Sequence, residues 1–167
     1  MVTKARRLCA YSMCGLCARR AVCSTVHQIN LTMKIKSFLE LADVKAIAAA
    51  AEAEALKNSW AVTIAIADDA GHLLWLQRLD GAAALSSHIA PAKAHTAAIG
   101  RRESKVYEDI INGGRTAFLT APLAEGMLEG GVPIVKDGYV IGAVGVSGVK
   151  SNEDAQIAKA GIAAIGL

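Results

Sequence analysis

The sequence predicts an α+β domain built on a largely antiparallel sheet, and three observations carry that prediction. Apolar spacing alternates between the helical and the strand period in the order α-β-β-α-irregular-β-β-α. Each pair of strand-like runs is joined by a turn of only a few residues, which an antiparallel hairpin accommodates and a parallel crossover does not. Hydrophobic residues make up 53% and charged residues 20% of the 167, enough for one packed core and too apolar for a wholly disordered chain.

The elements follow in order. Leu41, Val44, Ile47, Ala48, Ala51, Ala55 and Leu56 recur at helical spacing in an alanine-rich stretch that Asn58 and Ser59 end. Val62, Ile64 and Ile66 give residues 60–67 the β-branched character of a strand. A turn at 68–71 leads to a second strand over 73–76, closed by residues 78–81, where Arg78 and Asp80 are expected to share a strand face as an ion pair. Ser86 is expected to cap a helix running to about residue 102, with Pro91 near its first turn. Residues 103–131 carry Gly113-Gly114, Pro122 and Gly130-Gly131, and are expected to hold a short helix near Tyr107 and a long loop. Residues 132–135 and 139–146 flank Asp137-Gly138, a favoured hairpin dipeptide, and Ser151 or Asn152 is expected to cap a last helix through Ile165. A doubly wound nucleotide-binding fold does not match this order.

The net charge of +3 hides two compositions. Residues 1–32 hold Lys4, Arg6, Arg7, Arg19 and Arg20 and no acidic residue, so of 18 basic and 15 acidic side chains the remainder keeps 13 and 15, a balance of −2. All four cysteines (Cys9, Cys14, Cys17, Cys23) lie in the same segment. It shows no apolar periodicity and is read as an extension, disordered or a mis-called start, ahead of one domain over 33–167. Its basic and apolar runs resemble a signal segment only weakly, interrupted by Ser12 and Gly15, so a cytoplasmic protein is expected and an exported one is the alternative. The spacing Cys14-x-x-Cys17 matches half a zinc site or a redox motif without the remaining parts of either. With the basic excess confined there and aromatics at 4%, no nucleic-acid surface is expected, and without a run of about 18 apolar residues no membrane span is expected.

Three groups of residues could carry chemistry. Gly142, Gly145 and Gly148, with Ser147, leave a strand and precede a helix, where backbone amides can cradle an anion or where glycine simply permits close helix packing. His88, Lys93 and His95 share one predicted helix; the two histidines, seven apart, lie on one face roughly 10.5 Å apart along the axis, too far to bind one ion together. Each alone could be an axial ligand or an acid–base group. Asp68, Asp69, His72, Arg78 and Asp80 gather at the first hairpin, although adjacent strand positions point to opposite faces and turn chemistry accounts for the aspartates.

Taken together, residues 61–74, the Arg78-Leu-Asp-Gly81 run, Ala92-Lys-Ala-His95, Gly130-Gly-Val-Pro-Ile134 and residues 137–148, followed by Asp154, resemble the GlcG/HbpS-like family, whose domain also ends some PduO-type corrinoid adenosyltransferases. The resemblance covers about residues 39–167. It implies a profilin-like domain with a central antiparallel sheet of about five strands and flanking helices, assembled as a dimer or larger ring. It also implies a small-molecule ligand, for which haem is the leading choice, with sensing or breakdown of haem or iron as the context. Some haem-binding members are expected to place a ligand histidine just before the first strand, where this chain has Asn58-Ser59-Trp60.

On that basis His95 and His88 are the expected iron ligands, Lys93 and Arg101 the expected partners of acidic groups, and the amides at Gly145, Ser147 and Gly148 further binding groups. The alternative is an enzyme or accessory factor for a small carboxylated metabolite, with Arg78 holding the carboxylate beside Asp68 and Lys93 or His95 moving a proton. A structural oligomer without ligand is the third reading. Convergence of Arg78, Lys93 and the Gly145 loop on one pocket would favour the enzyme, and an apolar slot fronted by histidine would favour haem.

Overall fold

A computed structural model describes residues 33–122 and 125–167. The expectations for residues 1–32, including the cysteine pair, lie outside the described residues. The chain forms α1 (Leu41–Lys57), β1 (Thr63–Asp68), β2 (Leu73–Arg78), α2 (Ser86–Gly100), α3 (Lys105–Asn112), a 3-10 turn (Thr116–Thr120), β3 (Gly131–Lys136), β4 (Tyr139–Ser147) and α4 (Ser151–Ala163). The strands make one sheet in the order β2-β1-β4-β3, every neighbouring pair antiparallel. The described residues therefore hold four strands rather than about five, because the stretch between α2 and β3 coils into α3 and the 3-10 turn.

Strand alternation sorts the side chains onto two unlike faces. One face carries Ile64 and Ile66, Val132 and Ile134, and Val144 and Val146, and packs under α1 and α4 through residues such as Ile47, Ala51, Ile157 and Ile162. The other carries Ala65, Ala67 and Ala143, which meet Ala90, Ala94, Ala97 and Ala98 of α2. Small residues on both sides let α2 lie close against the sheet. Gly145 is the closest point: a Cβ there would overlap the Ala90 carbonyl and the Ala94 N–H and come within 2.9 Å of the Ala94 Cβ. The packing explanation of this glycine thus has direct support.

Local details differ from expectation for identifiable reasons. Ser86 lies inside α2 rather than capping it; its hydroxyl donates to the Ala83 carbonyl (2.6 Å) and pairs with the buried Thr63 hydroxyl (2.7 Å), tying the helix start to β1. Pro91 sits in the second turn of α2, one turn later than expected. The helix ends at Gly100 because Arg101 turns left-handed at φ 55. Arg78 and Asp80 form no ion pair among the described residues, since β2 stops at Arg78 and the chain turns through Gly81 at φ 84. The Asp137-Gly138 turn forms as expected, with φ of 51 and 78, the two positive values that the favoured hairpin turn requires.

Candidate functional site

α2 directs its side chains three ways, and this partition decides what the site is. Its alanine stripe faces the sheet. Toward β2, His88, Pro91, Ala92 and His95 border a cleft of about 390 Å³ that Ala67, Gly71, Leu73 and Glu125 complete. Away from β2, Lys93 turns inward and reaches the last helix.

His95 is held by the first hairpin turn. Its Nδ1 lies 3.0 Å from the Gly71 carbonyl oxygen. A carbonyl only accepts, so Nδ1 carries the proton, and in the neutral ring the lone pair is on Nε2 of a side chain that lines the cleft. Gly71 makes this contact possible twice over: it stands at φ 84, and a side chain there would meet the imidazole, with Cε1 at 2.9 Å. The turn itself is fixed by Asp68, whose Oδ1 accepts the N–H groups of Ala70 (2.9 Å) and His72 (2.8 Å), while Oδ2 faces His72 Nδ1 at 3.2 Å. Partial burial raises the Asp68 carboxyl, but the His72 and Ala70 N–H groups and the His72 ring outweigh it and hold the group below the usual carboxylate range. His88, two turns before His95, is exposed at the cleft's edge.

The other sequence-selected residues are placed elsewhere. Lys93 is 3% exposed; its ammonium donates to Asp154 Oδ2 (2.8 Å) and to the Val146 carbonyl (3.0 Å), linking α2 to α4 at the end of β4. Lys93 therefore meets no open cleft, a correction to its expected role with a ligand's acidic group. Burial pushes the Asp154 carboxyl above the usual range, against the pull of the Lys93 ammonium and the Val149 N–H. Gly145 is covered by α2, and Ser147 is buried at 7% exposure. Gly148 packs on Ala61 and Val62, with the Val62 Cα within 2.7 Å of where a side chain would start. Arg78 is exposed on β2, and Arg101 lines a separate cleft with Lys36 and Tyr139. Arg78, Lys93 and the Gly145 loop do not converge. Among the described residues no group of three or more His, Cys, Asp or Glu is placed to hold a metal ion, and no helix is long and apolar enough to cross a membrane.

Sequence reasoning missed three parts of the cleft. Gly71 was visible only as a turn residue, with nothing to link it to a histidine 24 positions on. Pro91, singled out beside the histidines, gave no sign of walling the same cleft. Glu125 comes from the irregular stretch, where no periodicity assigns a direction to a side chain.

The geometry can be set beside known proteins. A family model described as "Haem degrading protein HbpS-like" matches residues 39–163. Protein GlcG of Escherichia coli (strain K12) is 57% identical over 115 residues, covering 69% of this chain and 85% of that protein. The crystal structure of HbpS superimposes with a TM-score of 0.71 at 30% identity, covering 80% of this chain and 93% of that one. A crystal structure of a PduOC–haem complex does so with a TM-score of 0.68 at 29% identity, covering 77% and 95%. Matched by the family model over residues 39–163 and 57% identical to GlcG over 115 residues, the chain belongs to the HbpS-like family.

Proposed function

We propose that this protein binds haem in the cleft between α2 and the first hairpin, with His95 as the iron ligand. The observation that carries the reading is the His95–Gly71 hydrogen bond, which fixes one tautomer, with the lone pair on Nε2, in a side chain that lines a cleft walled by Ala67, Leu73, Pro91 and Ala92. That donor set fits the group. A neutral imidazole whose other nitrogen donates to a carbonyl is oriented in the way metal-ligating histidines are. Haem would supply, when bound, an iron able to take up the imidazole lone pair of His95. The walls offer the ring apolar surface, and His88, at the cleft's edge, is the alternative to His95 as iron ligand. A haem-complexed neighbour of the same fold adds support.

The enzyme reading needs Arg78, Lys93 and the Gly145 loop on one pocket; Lys93 reaches that loop only at the buried Val146 carbonyl, and Arg78 stands exposed on β2. We propose further that the protein self-associates along β2, whose Leu73, Leu74 and Leu76 are 49%, 43% and 46% exposed beside the cleft. Light scattering that returns a monomer would remove that part of the proposal.

The main test is a hemin titration followed by absorbance. A saturable Soret shift is expected, abolished or moved in wavelength by His95→Ala and weakened by His88→Ala. Absence of a saturable shift would overturn haem binding, and a shift unchanged in the His88→Ala/His95→Ala double variant would overturn the ligand assignment.

A further inference from the structure

A second cleft, of about 420 Å³, is bounded by Lys36, Arg101, Val135, Gly138, Tyr139 and Val140. Its two cations come from segments far apart in sequence, Lys36 from the irregular lead into α1 and Arg101 from the residue that closes α2. None of its lining residues is acidic. Lys36 spends one of its donors on Asp69, which is not part of the lining, and an ammonium has three. Arg101 makes no ion pair among the described residues. It also occupies the left-handed helix-closing position at φ 55, where glycine is the unstrained choice, so a long cationic side chain is present at a position that disfavours any side chain.

Lys36 keeps donors beyond its Asp69 pair and Arg101 has no ion-pair partner among the described residues, so the cleft offers an anion two cationic groups, and the rest of the lining states what kind of anion. Val135 and Tyr139 are 47% and 37% exposed on the β3–β4 hairpin, offering apolar surface and one phenolic hydroxyl. A fully hydrated inorganic anion gains nothing from that surface, whereas an organic acid covers it. We infer that this cleft is a binding site for a small organic carboxylate whose acid group lies between Lys36 and Arg101 and whose apolar body rests on Val135, Tyr139 and Val140. It is separate from the histidine cleft, with which it shares no lining residue.

The experiment is an amide-resolved NMR titration of the full chain with sodium benzoate, and in parallel with sodium phosphate at matched ionic strength. Benzoate is expected to give saturable shifts at Arg101, Gly138, Tyr139 and Val140. Lys36→Gln and Arg101→Asn are each expected to weaken it about tenfold, the worth of one charge-assisted hydrogen bond. Asparagine tolerates the left-handed position, so the helix end survives the change. No saturable shift, unchanged affinity in the Lys36→Gln/Arg101→Asn double variant, or phosphate binding as tightly as benzoate would each overturn the inference. So would loss of the benzoate shifts in His95→Ala, which would assign them to the histidine cleft; retention there keeps this site independent of haem binding.

Discussion

Removing the Lys93 ammonium while keeping its aliphatic bulk, as Lys93→Met does, leaves the Asp154 carboxylate 2% exposed with only the Val149 N–H, 3.3 Å away, as a partner. Breaking a buried pair from one side costs about 3–5 kcal/mol, a large share of the 5–15 kcal/mol that holds a domain folded. Asp154 can escape part of that cost by taking up a proton. Burial already raises its carboxyl, and the variant removes the ammonium that opposes the rise. A carboxyl whose folded pKa lies above its unfolded one contributes stability that is fully present below the unfolded value and is lost as pH rises through the folded one. The gap between Lys93→Met and the parent is therefore narrow near the ordinary carboxyl value of 3.8 and widens as pH rises above it.

Replacing both partners, Lys93→Met with Asp154→Leu, removes both buried charges together. Such replacements are neutral to stabilising elsewhere, offset here by about 1 kcal/mol for the Val149 N–H left without its acceptor. Urea denaturation at several pH values measures all four members of the cycle, with an expected coupling of about 2–3 kcal/mol between the two positions. A Lys93→Met loss below about 1 kcal/mol at pH 7, or a gap that does not move with pH, would refute the account of the pair as a buried lock. Hemin titration gives the functional half: with apolar side chains at both positions holding α2 in place, the folded double variant should bind unchanged, whereas Lys93→Met alone, which breaks the pair from one side, should bind more weakly.

Other perturbations test the scaffold around His95. Gly145→Ala drives a methyl group into the backbone of α2 and is expected to destabilise by about 1–3 kcal/mol, read from thermal unfolding; an unchanged midpoint would mean that helix and sheet are not in the close contact described. Gly71→Ala strains a residue at φ 84 and displaces the imidazole, so hemin affinity should fall more than the loss of about 1 kcal/mol in stability accounts for. Asp68→Ala frees two turn N–H groups and is expected to cost about 1–2 kcal/mol. Because the folded Asp68 carboxyl lies below its ordinary value of 3.8, that contribution is present above this pH and disappears as acid titrates the folded group, so the two proteins should converge in acid.

Much of the fold could be read from local pattern. The α1 bounds and the Asp137-Gly138 turn follow from periodicity and backbone sterics, which act over a few residues. The histidine face of α2 was legible for the same reason, since a seven-residue separation is a property of one helix. What failed to show is what depends on distant partners. Lys93 sits among Ala90, Ala94 and Ala97, a small-residue stripe that signals burial, yet the residue that makes burial possible lies 61 positions away in α4. Likewise Ser86 looks like a helix cap until Thr63 is seen to hold its hydroxyl. Arg101 was picked out as a cation for the histidine cleft, but the left-handed close of α2 sends it to another one.

The partition of α2 explains how adjacent positions can have opposite roles. Lys93 and His95 are separated by one residue, so they stand about 200° apart around the helix axis. With the alanine stripe pressed against the sheet, one must turn toward the β3 side and the other toward β2. The β3 side is closed by Gly130, beside which the Lys93 ammonium meets Asp154; β2, an edge strand like β3, leaves its leucines uncovered on the other side. The lysine thus sets the helix in place and the histidine uses the position. Anything that rotates α2, whether by breaking the buried pair or by filling the space at Gly145, should then alter binding at His95 without touching the cleft. A direct loss of a ligand side chain, by contrast, should alter binding and leave stability nearly unchanged.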